Sequence, residues 1–343
     1  MKKLLILVFI IAIMLGCKSS KVVINNDDPS ENIIPKPSKG DVIFTSTSKS
    51  NDPNYATLKN VESSLSYLAS DELEGRNTGT EGIEKAAIYI ENVFKENNVK
   101  PYFKTYRDSF NLKNIIGYNI IGFIEGNDPN LKNEFVILGA HYDHIGTAKE
   151  VNGDVIANGA NDDASGTVAV LEWAKYFSKA KNNKRSILFT LYAAEEMGLK
   201  GSEHLAKKLK EANLNLYTMI NFEMIGVPRA KGETMAYITG YDLSNMAEKL
   251  NASAGEEIAG FLPQAKAYNL FKRSDNYSFY NAFKVPAHAI STFDFTNFEF
   301  YHHVDDEADK MDFEHMTTFI NKMIPALQGM INAPTKEIKM NNE

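Results

Sequence analysis

The feature that most constrains this chain is a pair of acids directly after an apolar segment. Residues 187–192 are mostly apolar and predict a buried strand, and Glu195 and Glu196 follow them before a glycine-containing loop. Adjacent carboxylates at the end of a buried strand are unfavourable unless an opposite charge compensates them. A metal ion supplies that charge, because one acid can bind it while the other acts as a base. An exposed loop with two solvated acids is the alternative that this segment alone leaves open.

Histidines and further acids occur in four other segments of the chain, and at least three of the five segments directly follow an apolar run. Histidine is the commonest metal ligand in proteins, and carboxylates bind metal ions as well. In open α/β sheets, ligands gather at the carboxyl ends of the strands. The sequence therefore predicts a metal site at one edge of a sheet. The five segments are 141–146, 158–166, 195–196, 221–226 and 301–310.

Segments with helical spacing alternate with short apolar runs through most of the chain. This alternation predicts a three-layer αβα sandwich without a second domain. The predicted helices are 81–97, 167–180, 202–211, 243–254 and 313–331, and the predicted strands are 118–124, 135–140, 186–192, 217–222 and 285–291.

Composition agrees with a soluble globular fold and argues against nucleic-acid binding. Hydrophobic residues make up 43% of the 343 residues and charged residues 24%, which is ordinary for such a fold. The formal net charge is −7, and no run of basic residues occurs. A mildly acidic protein of this kind is a poor ligand for a polyanion.

The first 17 residues have the pattern of an export signal. Two lysines precede an apolar run at 4–15, which is too short to span a bilayer but suits a signal peptide. The sequence Leu15-Gly16-Cys17 resembles a bacterial lipobox, so we expect cleavage before Cys17 and its lipidation; an ordinary secretory signal is the alternative. Cys17 is the only cysteine, which excludes an intrachain disulfide. We therefore expect an exported protein that is held at a bacterial membrane surface by the lipid on Cys17. Residues 18–55 are expected to form a flexible tether between this anchor and the folded domain.

Six blocks of this sequence, in order, resemble the M28 family of zinc peptidases, the co-catalytic di-zinc aminopeptidases. An earlier block, YLASDELEGRNTGTEG at 67–82, is similar to the N-terminal segment of the family. The resemblance covers about 56–333, which we interpret as one catalytic domain followed by a polar tail at 334–343, and it implies a mixed, mostly parallel sheet of about eight strands. The six blocks are HYDHIG, NGANDDASGTVAVLEWA, LYAAEEMGLKGSEHLA, INFEMIG, SDNYSFY and YHHVDDEADKMD.

The resemblance also implies a role for each site residue. Two zinc ions would share one carboxylate, and each would keep room for water and substrate. A general base would move the proton of the attacking water to the leaving amine. A further acid would orient a ligating histidine. The implied assignments are Asp162 as the bridging ligand, Glu196 and His302 as ligands of one metal, His141 and Glu223 as ligands of the other, Glu195 as the base, and Asp143 as the partner of His141.

Other residues in the same blocks are assigned to support. We expect His144 to be structural and Asp163 to hold its loop. His303 is the alternative to His302 as the C-terminal ligand. In the family, the peptide bond after the bridging acid is often cis, which implies the same between Asp162 and Asp163.

The chain departs from the family pattern at two positions. Glu223 stands where the family usually has Asp, so the second metal site is expected to differ in shape. Asn276 stands where the family often has His, which leaves side-chain specificity open. Outside the blocks, His288 lies in an apolar segment and is expected to be a hydrogen-bonded core histidine.

The sequence favours a zinc-dependent aminopeptidase that acts on peptides with a free N-terminus. Two alternatives share the fold. A glutaminyl-cyclase-like acyltransferase would typically use one zinc ion, so metal stoichiometry separates it from the peptidase. An inactive binding module would not need Glu195 or the five ligand positions, all of which are present.

Overall fold

The computed structural model of the protein describes residues 56–230, 232 and 234–341. The lipidation predicted at Cys17 and the tether predicted at 18–55 lie outside these residues. Within the described part, nine strands form one sheet and two more form a separate hairpin. The strands are β1 (Lys100–Pro101), β2 (Arg107–Leu112), β3 (Ile115–Ile124), β4 (Phe135–His141), β5 (Gly146–Val151), β6 (Asp154–Ala157), β7 (Ser186–Tyr192), β8 (Leu216–Glu223), β9 (Ala236–Ile238), β10 (Ala259–Gly260) and β11 (Ala287–Ser291).

The main sheet is mixed, and its centre is parallel. Its order is β1-β3-β7-β4-β8-β11-β9-β10, with β2 paired to β3. The four central strands β7, β4, β8 and β11 are parallel, while β3 and β9 pair with them in antiparallel fashion. The carboxyl ends of the four central strands therefore lie at one edge of the sheet. This arrangement confirms the predicted mixed sheet with a parallel core.

Helices cover both faces of the sheet. The helices in the described residues are α1 (Leu58–Leu68), α2 (Glu81–Glu96), α3 (Gly166–Ala180), α4 (Lys200–Glu211), α5 (Met246–Ala254), α6 (Pro263–Ala267), α7 (Asn276–Phe283) and α8 (Phe313–Asn332). In that part of the chain no helix combines the length and the apolar character needed to cross a membrane.

Alternation along β7 shows how the sequence builds the three layers. Ile187 and Phe189 are buried on the face covered by α1, α2, α3, α5 and α8, whereas Leu188 is buried on the face covered by α4 and α7. Successive side chains of a strand point to opposite faces, so an apolar run without polar interruption is buried on both. Each such side chain contributes about 1.5–3 kcal/mol by leaving water. The predicted three-layer sandwich is confirmed.

The main differences from the predicted elements lie at ends and edges. The strand predicted at 217–222 extends to Glu223, and the helix predicted at 243–254 begins only at Met246. β1 and β10 have two residues each, which is too short to give a periodic signal. The β5–β6 hairpin is largely exposed, so it lacks the apolar alternation of a core strand.

Candidate metal centre

Two potential ligands are the final residues of neighbouring parallel strands. His141 ends β4 and Glu223 ends β8, and these strands pair with Gly139 opposite Asn221. On the other side of β4, His141 is opposite Tyr192, which is the last residue of β7. Glu195 follows Tyr192 by three residues in the sequence. The sheet therefore brings three sequence segments to one edge, as the pattern of acids after apolar runs predicted.

The turn at Ala160–Ser165, directly before α3, carries Asp162 into this edge. The peptide bond between Asp162 and Asp163 is cis. Asp163 Oδ1 accepts hydrogen bonds from the backbone N–H groups of Gly166 and Met224, both at 3.0 Å. A Cβ at Gly166 would lie 2.2 Å from the carbonyl oxygen of Phe222, so only glycine permits this close approach of α3 to β8. The support that we expected from Asp163 is present in these two hydrogen bonds.

The carboxylate of Asp162 lies between two histidines. Its Oδ1 is 3.1 Å from His141 Nε2, and its Oδ2 is 3.3 Å from His302 Nε2. Glu223 Oε1 is 3.2 Å from His141 Nε2, and Glu196 Oε2 is 3.1 Å from His302 Nε2. All five predicted ligands thus form one cluster with Asp162 in common. We call His141 and Glu223 the strand half, and Glu196 and His302 the loop half.

Both oxygens of Glu223 are accounted for by this arrangement. The Ser274 hydroxyl donates to Oε2, and Asn221 Nδ2 also donates to it at 3.2 Å. Oε1 remains directed at His141. The longer side chain that replaces the usual Asp is therefore held in one orientation, with one oxygen towards the cluster. Asn276 donates instead to the carbonyls of Phe271 and Ala287, which is a structural role.

His144, for which the sequence predicts a structural role, lies inside the cluster. It is completely buried, its Nδ1 is 3.0 Å from Glu196 Oε1, and neither ring nitrogen has a hydrogen bond of good geometry. Two groups of side chains have the spacing to hold an ion, and His144 belongs to one of them. The groups are His141, Asp163 and Glu223, and His144, Asp162 and Glu196.

Only one residue of the C-terminal histidine pair faces the cluster. His303 pairs with Asp305 at 3.4 Å and accepts the backbone N–H of that residue at Nδ1. His302 has a left-handed backbone conformation, φ 56°, and its ring stacks on Tyr301 with centroids 4.0 Å apart. The geometry therefore favours His302 over His303 as a ligand.

Asp143 connects the strand half to the loop that carries Glu195. Its carboxylate is 3.6 Å from His141 Nδ1, but the hydrogen bond of that ring nitrogen is to the Asp143 backbone carbonyl at 3.1 Å. The same carboxylate accepts the backbone N–H of Glu195 at 3.2 Å. Asp143 thus orients His141 mainly through its backbone and holds Glu195 through its side chain.

The residues present fit a metal ion of the zinc type. Buried polar atoms without hydrogen bonds are unfavourable, and several of them converge on this cluster. Imidazole nitrogens and carboxylate oxygens are the donors that zinc accepts in catalytic sites. The atoms without a hydrogen bond of good geometry are both ring nitrogens of His144, Nε2 of His302, Oε1 of Glu196 and Oδ2 of Asp163.

Protons and a metal would compete for this cluster. Burial alone would lower the pKa of His141, but the charge of Glu223 and hydrogen bonds to three acids raise it well above its usual value. Burial alone would raise the pKa of Asp162, but hydrogen bonds from His141 and His302 hold it below its usual value. A cation in the cluster would replace the bound protons, so metal affinity should fall as pH falls.

Asp306 is a residue of the site that sequence reasoning missed. Its carboxylate accepts the backbone N–H groups of Asn161, at 2.7 Å, and Asp162, at 3.1 Å. It therefore fixes the backbone of the acid that both halves share. Its place in the block that contains His302 was the available signal, but nothing in the block distinguished it from Asp305.

A comparison with protein families decides where the chain belongs. The model for peptidase family M28 matches residues 119–326. The chain belongs to peptidase family M28. This confirms the resemblance that the six blocks indicated, and the matched region contains all five ligands of the cluster.

Curated relatives match the chain over part of their length. A "probable zinc metalloprotease" of Pyrenophora tritici-repentis (strain Pt-1C-BFP) is 39% identical over 117 residues, which are 34% of this chain and 26% of that protein. A "probable leucine aminopeptidase" of Trichophyton verrucosum (strain HKI 0517) is 32% identical over 206 residues, which are 58% of this chain and 52% of that protein. The chain thus spans between about a quarter and a half of these relatives.

Solved structures of two activity classes share this M28 fold. The LapA aminopeptidase of Legionella pneumophila superposes with a TM-score of 0.64 at 21% identity, covering 81% of this chain and 71% of that one. The glutaminyl cyclase of Fimbriiglobus ruber superposes with a TM-score of 0.62 at 18% identity, covering 80% of this chain and 95% of that one. The backbone alone therefore does not distinguish the two activities.

Proposed function

We propose that this M28 protein is a zinc-dependent aminopeptidase that hydrolyses the first peptide bond of substrates with a free N-terminus. The observation that carries the proposal is the position of the Asp162 carboxylate between His141 and His302, with one oxygen directed at each. A shared carboxylate with a ligand pair on either side is the arrangement that a two-metal hydrolase requires.

Each half of the cluster would hold one zinc ion together with Asp162. His141 and Glu223 would bind the first ion, and Glu196 and His302 the second. When bound, the two ions would polarise the scissile carbonyl and make water a better nucleophile at neutral pH. His144 and Asp163 lie close enough to bind an ion if one of the assigned ligands is lost; we call them reserve ligands. Asp163 Oδ1, however, already accepts hydrogen bonds from two backbone N–H groups.

Glu195 would act as the general base. The backbone N–H of Glu195 is fixed by Asp143 at 3.2 Å, and its neighbour in sequence, Glu196, is in the loop half. Burial raises the pKa of Glu195 well above its usual value, and the charge of Glu223 adds to this against the opposing charge of His141. A base with a raised pKa can take a proton from water and return it to the leaving amine.

The surroundings of the cluster suit an N-terminal residue with an apolar side chain. Tyr301, next to His302, is 52% exposed, and its ring stacks on Phe293 with centroids 6.1 Å apart. Phe295 lies 4.7 Å from Phe293 and is 38% exposed. These rings offer an apolar surface next to the acids that would attract a free ammonium group.

A glutaminyl-cyclase-like acyltransferase is the second candidate, because structures of that class share the fold. The presence of two groups with metal-binding spacing supports the peptidase, since the cyclase reading expects one zinc ion. Zinc analysis of the purified protein separates them, with two ions per chain expected for the aminopeptidase.

Replacing Glu195 by Gln tests the proposed reaction. The variant keeps the size of the side chain but removes the base, so turnover of a leucyl peptide should fall roughly 10²–10⁴-fold. Zinc content should remain at the wild-type value. Loss of zinc with activity would make Glu195 a ligand instead, and full wild-type activity after exhaustive chelation would exclude a metallopeptidase.

Export and membrane anchoring through Cys17 are a separate proposal, supported by the lipobox-like sequence 15–17. A labelled fatty acid should be incorporated into the wild-type chain in a bacterial host and not into Cys17→Ser. Absence of label from the wild type would contradict lipidation.

A further inference from the structure

The segment 71–78, between α1 and α2, contacts three of the loops that carry the metal cluster. It precedes the residues 119–326 that the M28 model matches, and none of its side chains is among the proposed ligands. We call this segment the clasp. Its contacts run to 142–146, to 157–159 and to Ala194, which are far apart in sequence.

Arg76 is the centre of the clasp. Its side chain is buried, with the residue 1% exposed, and its guanidinium donates only to backbone carbonyls. The Tyr142 carbonyl accepts from Nε at 2.9 Å, and the Gly159 carbonyl accepts from Nη2 at 2.9 Å. Nη1 donates to the carbonyls of Asn158 and Leu68. One side chain thus joins the peptide after His141 to the turn that leads into Asp162.

Gly75 closes the base of the β5–β6 hairpin, which separates those two loops in sequence. A Cβ at Gly75 would lie 2.3 Å from the carbonyl oxygen of Gly146 and 2.4 Å from that of Ala157. Gly75 also has a φ of +66°, which side chains other than glycine rarely adopt. The clasp therefore contacts both ends of the hairpin and fixes the distance between its two flanking loops.

Thr78 extends the clasp to the loop of the general base. Its hydroxyl oxygen accepts the backbone N–H of Ala194 at 2.9 Å and lies 3.4 Å from Asp143 Oδ2, to which it donates. Asp143 in turn accepts the backbone N–H of Glu195. The clasp, the strand half and the Glu195 loop are thus joined by hydrogen bonds.

The type of contact distinguishes arginine from lysine at position 76. A guanidinium presents five N–H donors in a rigid planar fork, whereas the lysine ammonium has three donors on a flexible chain. Four carbonyls from three segments accept from this fork, so lysine cannot reproduce the pattern. The cation also lies near the acids Asp143, Asp162, Asp163 and Asp306, whose charge it offsets when the cluster holds no metal.

We propose that Arg76 is a positioning residue that preassembles the metal centre by fixing the loops of His141 and Asp162 at the spacing that zinc requires. The proposal rests on the zinc site assigned above. Partners of metal ligands typically change metal affinity 10–100-fold when they are removed. Arg76 acts one step further back, on the backbone of the ligand loops.

A matched control exists in the same chain. Arg185 is also fully buried, and it donates to Glu134 at 2.8 Å and to the carbonyls of Ile331 and Ala333 at the end of α8. It lies directly before β7, at the opposite end of that strand from Glu195. Substitution of Arg185 removes a buried guanidinium that also donates to backbone carbonyls, without touching a ligand loop.

The test compares zinc affinity in Arg76→Lys and Arg185→Lys by competition with a chromophoric chelator, on folded protein. Arg76→Lys should raise the zinc Kd about 10–100-fold and change the visible spectrum of the cobalt-substituted protein. Arg185→Lys should lower Tm but leave the Kd and the spectrum unchanged. A purely structural Arg76 would behave like Arg185, with lower Tm and wild-type zinc affinity, and that result would overturn the proposal.

Arg76→Gln provides a second test if Arg76→Lys does not fold. The glutamine amide has two N–H donors and no charge, so it cannot join the Tyr142 carbonyl to those of Asn158 and Gly159, and the zinc Kd should rise by at least about threefold. Wild-type affinity in this folded variant would overturn the proposal. Absence of zinc binding by the wild type would instead contradict the proposed function, which keeps the two failures distinguishable.

Discussion

Two buried histidines in this protein have opposite hydrogen-bonding environments. Inside the sheet, His288 on β11 is 1% exposed, with Nδ1 2.8 Å from the Thr239 carbonyl and Nε2 2.7 Å from Ser244 Oγ. At the edge of the sheet, His144 is equally buried, but its Nδ1 lies 3.0 Å from the acid Glu196 and neither ring nitrogen has a hydrogen bond of good geometry. A buried imidazole whose two nitrogens are both hydrogen-bonded is compatible with a stable fold. A buried imidazole without these hydrogen bonds is unfavourable unless a bound ligand interacts with its nitrogens.

The two halves of the metal centre differ in how they are held. His141 and Glu223 end adjacent strands, so the hydrogen bonds of the sheet fix their spacing. Glu196 and His302 lie on loops, and the His302 side chain is 35% exposed. Local opening of loops costs less free energy than opening of central strands. We therefore expect the loop half to release its metal first.

The largest effect should come from Asp162, because it belongs to both halves. Asp162→Asn keeps the shape but removes the shared charge, so both ions should bind poorly. Turnover should then fall on the order of 10³-fold or more, which corresponds to the several kcal/mol that metal activation supplies. Zinc content and turnover are measured together. Retention of both ions at wild-type affinity would show that Asp162 does not bridge them.

Removal of His302 should affect the loop half alone. His302→Ala should reduce the zinc content from two ions per chain towards one and lower turnover at least about 100-fold. Loss of a partner of a metal ligand lowers activity about 10–100-fold, and loss of a ligand itself should cost at least as much. His303→Ala is the matched control and should change turnover less than about twofold, because His303 pairs with Asp305 instead.

His144→Ala completes this series. If His302 is the ligand and His144 a reserve, the His144 variant should keep two ions and lose less activity than His302→Ala. A larger loss of zinc in His144→Ala would move the ligand assignment of the loop half to His144.

A smaller and selective effect is expected in the strand half. Glu223→Gln replaces a charged donor by a neutral one, so the affinity of one zinc ion should fall about tenfold while the other is unchanged. Glu223→Asp keeps the charge and shortens the reach, so its effect should be smaller. Stepwise zinc titration distinguishes the two sites, and two unchanged binding steps in Glu223→Gln would remove Glu223 from the centre.

The smallest effect concerns His288 and the stability of the fold, not catalysis. Burial lowers the pKa of His288 to about 4, whereas an unfolded chain has a value of about 6.5. Between these values the unfolded state binds the proton and the native state does not, so stability falls as pH falls through this window. From pH 7 to pH 5, His288 should contribute a loss of about 2 kcal/mol.

His288→Gln removes this titration. Urea unfolding of both proteins at pH 7 and pH 5 should show that the variant loses about 2 kcal/mol less than the wild type over this interval. An equal pH dependence of the two proteins would mean that His288 titrates alike in the native and unfolded states.

Much of the fold and most of the ligand cluster could be predicted from sequence. The apolar runs at 135–140 and 186–192 are local patterns, and both form central strands at nearly those bounds. Acids and histidines just beyond these runs mark the carboxyl edge, because parallel strands end together. The blocks then supplied the assignment of individual residues, and the structure brings all five predicted ligands into one cluster.

The tertiary structure decided which side chains share that edge and how they are held. Nothing local indicates that His144 turns towards Glu196, or that Asp143 meets His141 through its carbonyl and Glu195 through its carboxylate. Residues such as Asp306 and Arg76 bind backbone groups of distant segments. Because almost every residue type has the same backbone N–H and carbonyl groups, the residue types in those segments do not indicate the contact. The proposed metal ligands could be predicted from the chemistry of their side chains. The residues that position those ligands could not, because their contacts depend on long-range packing.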